Sequence, residues 1–269
     1  MAEPVGHGGS PVTANVLRNR TFELGTEERI LLESARSETL DFPAGQVVVP
    51  QGMPVGVSTL LVDGFMTRYV DARDGRRHLV AVHLPGDFVD LHAYVLKHLD
   101  HDVGALTNIT VAIFPHEALE RIQLAHPVLN KRLWFLTMLD AAMHRQWIYR
   151  LASLTAVQRV AHFICEMNAR LMAIGASDGI RFTLPMTQTD IGEVCGLTNV
   201  HVNRVLRELR EQQLCTVRSS NVEIHDLQKL AALGIFQPDY LYLNRPTADR
   251  ALGKPLQSGH AGGQGLPRF

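Results

Sequence analysis

The stretch TQTDIGEVCGLTNVHVNRVLRELR, residues 187–210, contains two short helical patterns joined at a Cys-Gly-Leu. Thr187 is placed to cap the first helix, and Asp190 follows at the third helical position, where its carboxylate can complete a capping box. Gly196 stands where the first helix has to stop, because glycine tolerates the positive φ of a sharp turn. Thr198 is placed to cap the second helix. The spacing predicts a helix–turn–helix.

The two helices of this motif are predicted to pack through small and apolar side chains. Ile191 and Cys195 face inward, and Gly192 between them is small enough for close approach of the second helix. Leu197 fills the angle between the helices. One apolar stripe follows in the second helix at helical spacing and consists of Val202, Val205, Leu206 and Leu209.

The opposite side of the second helix carries side chains that can contact DNA. Arginine bonds O6 and N7 of guanine, asparagine pairs with adenine or holds a phosphate, and valine touches a thymine methyl group. Arg207 is better placed for a phosphate than for a base. The predicted DNA-contacting residues are Thr187, Gln188, Thr198, Asn199, Val200, His201, Asn203, Arg204 and Arg207.

A helical hairpin that serves only packing is the alternative interpretation of this stretch. Residues 151–245 contain nine Lys/Arg and nine Asp/Glu, so they lack the basic excess typical of a DNA binder. DNA binding is favoured by the combined caps, glycine turn and apolar spacing, and by the hairpin pattern that follows, CTVR and VEIH around Ser-Ser-Asn. We therefore predict a winged helix–turn–helix in residues 153–244, with an affinity for DNA that falls quickly with salt.

Residues 128–151 form a long, uninterrupted helical pattern. One apolar stripe keeps three- and four-residue spacing and consists of Leu129, Leu133, Leu136, Met143 and Trp147. A second apolar side consists of Phe135, Leu139, Ala142 and Ile148. A helix that is apolar on two sides needs two partners. We expect one to be the preceding sheet and the other to be the same helix of a second chain, although burial within a monomer is the alternative.

From Glu38 to Pro115, short apolar runs alternate with turn signals. Glycines at 45, 52, 64, 75 and 86 lie 7 to 12 residues apart, which predicts an antiparallel sandwich or barrel, preceded by a short helix near residues 16–36. The ends of the chain, residues 1–15 and 245–269, lack a periodic apolar pattern and are expected to be disordered.

The composition is that of a globular protein without a membrane span. No run approaches eighteen apolar residues, and the N-terminus lacks the basic and apolar regions of a secretory signal, so we expect a cytoplasmic protein. The three cysteines, Cys165, Cys195 and Cys215, are widely spaced and form no CxxC pair. This argues against a disulfide framework, a zinc ribbon and a cysteine-bound iron–sulfur cluster.

Over roughly residues 20–244 the chain resembles the Crp/Fnr family of bacterial transcription regulators. FPAGQVVVPQG, LLVDG and LPGDF resemble the β-roll of that family, and MTQTDIGEVCGLTNVHVNRVLRELREQQL resembles its winged helix–turn–helix. The resemblance implies an α+β fold with an N-terminal antiparallel β-roll (jelly-roll) sensor domain at 16–127, a dimerisation helix at 128–152 and a C-terminal winged helix–turn–helix.

The same resemblance implies a homodimer, joined through residues 128–151, that binds a palindromic DNA operator and has RNA polymerase as a further partner. The base-contacting positions of the family fall on Asn199, Val200 and Arg204. Val200 stands where a glutamate commonly contacts the half-site, which predicts an altered target sequence.

Residues 85–110 lie where the cyclic-nucleotide-binding members of the family carry their phosphate cassette. That cassette needs a Gly-Glu pair and an Arg-Ser/Thr pair, whereas here GDF is followed by Val-Asp-Leu-His, and no arginine occurs between Arg77 and Arg121. Without a cation an anionic phosphate loses its main contact, so we expect no binding of cyclic AMP in the usual manner. The candidate effector-pocket residues are Gly86, Asp87, Asp90 and His92, the effector stays open, and no cofactor is predicted.

Histidines are frequent in the sensor region. A bound haem stays an alternative, and His98, His101 and Asp102 have a spacing that could hold a metal, although solvated loop histidines are the simpler interpretation. The His-Asp pair also superficially resembles metal-dependent HD phosphohydrolases, which gives an enzymatic alternative. Those enzymes need further ligands on a helical scaffold, and the sequence contains no GxSxG, HExxH or P-loop. We predict no metal site and no catalysis.

Overall fold

The first half of the chain folds into two antiparallel sheets. The structure, a computed structural model, describes residues 11–73, 75 and 77–254. Helix α1 (Thr26–Ser34) is followed by seven strands, with α2 (Ala93–Leu96) between the fifth and sixth. The strands are β1 (Glu38–Phe42), β2 (Val47–Val49), β3 (Val57–Asp63), β4 (Met66–Asp71), β5 (Arg77–His83), β6 (Asp102–Ala105) and β7 (Ile109–Pro115).

The seven strands, here called the β-roll, pair as β1–β7–β3 and as β2–β6–β4–β5. Leu61, Met66 and Val103 are among the buried side chains that form an apolar core within it. Turn glycines are required where the strands reverse: Gly64 has φ +85°, and a Cβ there would collide with the carbonyl oxygen of Asn108. The regular turn signals therefore marked real strand ends.

Two helices connect the β-roll to the second half of the chain, α3 (His116–Ala125) and α4 (Pro127–Ser153). Pro127 lies in the first turn of α4, where its missing N–H costs nothing. Three of the four residues of the predicted second apolar side of α4 are covered within the same chain. Leu139 and Ala142 are buried, and Phe135 packs edge-on against Phe22 and Tyr242. The apolar side chains that face outward are Val128, Trp134, Met138, Ile148, Tyr149 and Leu151.

The second half of the chain is mainly helical, with one small sheet. Its elements are α5 (Ala156–Ile174), β8 (Arg181–Thr183), α6 (Gln188–Cys195), α7 (Asn199–Glu211), β9 (Cys215–Arg218), β10 (Asn221–Ile224), α8 (Leu227–Leu233), a 3₁₀ turn (Pro238–Leu241) and α9 (Arg245–Ala251). The strand order is β8–β10–β9, and β9 and β10 are the predicted hairpin. The antiparallel sheets, long helices and helix–turn–helix confirm the expected α+β fold class.

The predicted disorder of the chain ends is wrong wherever the structure describes them. The Asn244 side chain accepts a hydrogen bond from the N–H of Thr247 (3.0 Å) and thereby starts α9. Thr13 is fully buried, and its N–H and Oγ1 both donate to Oε1 of Glu33 (2.7 and 2.6 Å). A cap and long-range bonds order these segments. The remainder of both predicted tails, 1–10 and 255–269, lies outside the described residues.

Candidate DNA-binding surface and sensor cavity

Helix α6 of the helix–turn–helix begins and ends at the predicted residues. Thr187 Oγ1 accepts from the N–H of Asp190 (3.1 Å), while Asp190 Oδ2 accepts from the N–H of Thr187 (2.8 Å), which confirms the capping box. Gly196 ends α6 at φ +63°. A Cβ on Gly192 would lie 2.6 Å from the carbonyl oxygen of Leu197, so the close packing at this position requires glycine.

Helix α7 buries one side and exposes the other. Thr198 caps it, accepting from the N–H of His201 (3.4 Å), and Val202, Val205 and Leu209 are buried. The nine predicted DNA-contacting residues lie at the start of α6 or on α7 and its cap. His201 is half-buried and the other eight are exposed: Thr187, Gln188, Thr198, Asn199, Val200, Asn203, Arg204 and Arg207.

Hydrogen bonds within the motif fix three of these side chains. Asn199 Nδ2 donates to Thr189 Oγ1 on α6 (3.0 Å), and Asn203 Nδ2 donates to the carbonyl oxygen of Asn199 (3.1 Å). The guanidinium of Arg204 contacts Nε2 of His201. The surface of α7 is thus an arranged set of polar groups around one apolar residue, Val200.

Two ion pairs of Arg77, here called the Arg77 clamp, join the β-roll to this motif. Arg77, the first residue of β5, pairs through Nη2 with Asp190 Oδ1 (2.8 Å) and through Nε with Glu193 Oε2 (3.1 Å). Asp190 therefore serves the capping box with one oxygen and the β-roll with the other. Displacement of β5 would act directly on the first turn of α6.

The sensor cavity lies between the β-roll and α4 and measures about 20 Å³, room for about one water molecule. Arg68 of β4 lines it. Its Nη1 pairs with Asp140 Oδ2 of α4 (2.7 Å), and its Nε donates to the carbonyl oxygen of Val89 (2.7 Å). Arg68 was not predicted as a site residue, because the cation of a phosphate cassette was expected within residues 85–110. An arginine within the apolar run FMTRYV was the signal.

The four candidate effector residues have different surroundings. Asp87 and His92 line the cavity. Gly86 has φ +99°, and a Cβ there would collide with the Asn15 carbonyl, so this glycine serves backbone packing. Asp90 is fully buried, and its Oδ1 accepts from the N–H of Thr59 (2.5 Å).

Burial and neighbouring charges shift the titration of the groups around the cavity. Burial raises the pKa of Asp90 to about 6. Burial favours the neutral form of Asp87 too, but the guanidinium of Arg170, at 2.8 Å, holds the pKa of that carboxyl well below its usual range. Burial, helped by the charge of Arg68, lowers the pKa of His92 to about 4.

The histidines of the sensor loop make separate contacts. His101 Nδ1 bonds Asp100 Oδ1 (2.7 Å), Asp102 Oδ1 accepts from the N–H of Gln51 (2.9 Å), and His98 is exposed. In the part of the chain that the structure describes, no group of three or more His, Cys, Asp or Glu is arranged to hold a metal ion. Within the same residues, no helix has the length and apolar character needed to cross a bilayer.

An exposed recognition surface on a winged helix–turn–helix, attached to a β-roll through a long helix, defines a DNA-binding regulator with a sensor-type domain. Comparisons agree: residues 39–126 match the cyclic nucleotide-binding domain, and residues 158–233 match the Crp-like helix-turn-helix domain. The chain belongs to the Crp/Fnr family of transcription regulators. It is therefore a regulator and not an enzyme, and nothing supports the phosphohydrolase alternative.

Individual relatives cover most of the chain. The anaerobic regulatory protein of Pasteurella multocida (strain Pm70) is 26% identical over 212 residues, 79% of this chain and 77% of the relative. The transcriptional activator protein FnrL of Cereibacter sphaeroides is 28% identical over 195 residues, 70% of this chain and 77% of the relative. The structure of FixK2 from Bradyrhizobium japonicum matches with a TM-score of 0.67 and 26% identity, over 73% of this chain and 96% of that one.

Proposed function

We propose that this regulator binds a palindromic DNA site as a homodimer and that α7 contacts the bases of each half-site. The observation that carries the proposal is the surface of α7, where Asn199, Val200 and Arg204 are all exposed. Thr187, Gln188 and Arg207 are assigned to phosphates. Such contacts position the protein without specifying sequence. They also make the affinity for DNA fall steeply as the salt concentration rises.

The domain assignment forms part of the proposal: residues 16–127 sense, 128–152 dimerise and 153–244 bind DNA. Outward apolar side chains on α4 support the dimer. A relative named as a transcriptional activator supports contact with RNA polymerase at a promoter, and binding to chromosomal DNA supports a cytoplasmic location.

Selection from random DNA duplexes tests the base contacts. Wild type should enrich one palindromic sequence, and Arg204→Ala should lose it, since a bidentate arginine–guanine contact is worth about 1–3 kcal/mol per half-site. Arg36→Ala serves as the matched control, because Arg36 is exposed and its side chain donates to its neighbour Thr39 in the β-roll half. An Arg204→Ala protein that enriches the same sequence as wild type contradicts the assignment.

The sensor domain is proposed not to bind cyclic AMP. Arg68, the arginine that lines the cavity, is already paired with Asp140, so an anionic phosphate there would have to compete with that carboxylate. Titration calorimetry should show no heat of binding for cyclic AMP up to about 1 mM. A dissociation constant above about 1 mM corresponds to a binding free energy weaker than about −4 kcal/mol. A micromolar dissociation constant would refute this part of the proposal.

A further inference from the structure

Val200 is an apolar residue at the most exposed part of the recognition helix. It is the second residue of α7, and 81% of its surface is accessible. Its neighbours on that face, Asn199, Asn203 and Arg204, are all polar. Because Val200 makes no contribution to the buried stripe of α7, its side chain is available to a partner.

The two asparagines on the same face each use one of their two amide N–H donors within the motif. Recognition of adenine by asparagine needs both the amide N–H, for N7, and the amide oxygen, for N6. Asn199 Nδ2 bonds Thr189 Oγ1, and Asn203 Nδ2 bonds the carbonyl oxygen of Asn199. Each amide keeps a second N–H and its oxygen, so these bonds fix where the two side chains lie without excluding contact with a base.

Arg204 keeps donors available for a base. A guanidinium has five N–H donors, so the contact with His201 occupies part of the group and fixes its direction. The face of α7 therefore offers polar groups, among them the guanidinium of Arg204, and one apolar group, the isopropyl group of Val200.

We propose that Val200 is a specificity-determining residue that selects thymine through its C5 methyl group, in the same half-site as the guanine bound by Arg204. This inference rests on the proposed function. A carboxylate at position 200 would accept a hydrogen bond from cytosine N4, whereas a valine has no acceptor and gains only by covering an apolar group in the major groove. The methyl group of thymine is the apolar group that the major groove presents.

Uracil substitution in the selected DNA site tests the inference, because uracil lacks only the methyl group of thymine. Replacing the contacted thymine of one half-site by uracil should weaken wild-type binding about fourfold, the effect of one buried methyl group. For Val200→Ala the same substitution should change affinity less than about twofold, because the contacting methyl groups have been removed. A site with cytosine at that position should be bound more weakly than the thymine site. A site with 5-methylcytosine there should recover part of the lost affinity.

Val95→Ala is the matched control, because Val95 is also a highly exposed valine but lies on α2 in the β-roll half. It should keep the full sensitivity to uracil. Uracil effects that are equal in wild type and Val200→Ala overturn the inference while leaving the proposed function intact. Failure of wild type to select any DNA site overturns both.

Discussion

His83 is a buried titratable residue whose surroundings favour its neutral form. It lies at the end of β5 and is 2% exposed, and neither ring nitrogen has a hydrogen-bond partner among the described residues. The nearest carboxylate oxygen, Asp87 Oδ2, is 3.8 Å away. Burial, followed by the charge of Arg68, lowers the pKa of His83 from 6.5 to about 4. Between pH 4 and 6.5 the unfolded chain therefore binds a proton that the folded chain does not.

The free energy of unfolding should consequently rise with pH through this window, by about 3 kcal/mol from His83 alone. His83→Leu should remove that contribution. Leucine is of similar size and leaves no ring nitrogen unpaired, so the variant should retain the stability of wild type at pH 7 within about 1 kcal/mol. Urea unfolding at intervals from pH 4 to 7 measures the difference. Asp90, whose raised pKa gives a slope of opposite sign, is common to both proteins. Parallel pH profiles for the two proteins contradict the assignment.

The roles of single residues were predicted correctly where their partners lie close in sequence, and not where the partners lie far away. Thr187 and Asp190 were placed correctly from the sequence, because a capping box involves positions three residues apart. Arg68 was missed, because its partner Asp140 lies 72 residues away. Asp87 was selected as an effector residue, yet its ion pair with Arg170 of α5 spans 83 residues and depends on how the β-roll and α5 pack.

At the scale of the element, the helix–turn–helix depends on Gly192 in α6. A Cβ there would lie 2.6 Å from the carbonyl oxygen of Leu197, a backbone atom that cannot rotate away. Gly192→Ala should therefore displace the turn and cost about 1–3 kcal/mol in stability, with a larger relative loss of DNA affinity because α7 follows that turn.

Gly56→Ala is the matched control for this change. Gly56 has open space around it and no positive φ, so an added methyl group there should change stability by only a few tenths of a kcal/mol. Thermal unfolding gives the stabilities, and titration of a fluorescent DNA duplex gives the affinities. Wild-type stability and affinity in Gly192→Ala would show that the turn tolerates a side chain.

Elements themselves were predictable where one local pattern determined them, as for α6, α7 and the β9–β10 hairpin. The side of α4 that remains exposed was not, because Phe135 is covered by Phe22 from the N-terminal segment and by Tyr242 from near the C-terminus. Phe22 and Tyr242 are both more than 100 positions from Phe135 in sequence. For the same reason α9 was taken for a tail: its order comes from the Asn244 cap and from Ala251, which is buried in the core.

Across the whole molecule, the β-roll and the DNA-binding half share a core. Leu79, Val82 and Leu84 of the β5 region belong to the same buried apolar cluster as Phe163 of α5 and Ile191 of α6. The Arg77 clamp extends this contact to the recognition motif. A change in the β-roll can therefore be transmitted to α6 within one chain, and α4 is the element proposed to join two chains.

The proposed dimer depends on the outward side of α4. Trp134, Met138 and Ile148 lie within about 80° of one another on the helix, at 100° per residue, and all three are exposed. Met138→Glu places a carboxylate on this side of α4, and a dimer formed through it would have to bury two such carboxylates. Since an unpaired buried charge costs several kcal/mol, the variant should be monomeric at concentrations where wild type is dimeric. Met138 is exposed in the monomer, so the fold should be unaffected.

Ile30→Glu provides the control, because Ile30 is an exposed apolar residue on α1 and not on α4. It should remain dimeric. Sedimentation equilibrium gives the association state of each protein, and binding to full and half sites gives the consequence for DNA. Met138→Glu should bind a palindrome no better than a half-site, because linking two half-sites through one protein provides the added affinity. If Met138→Glu remains dimeric and keeps its preference for the palindrome, the two chains associate through another surface.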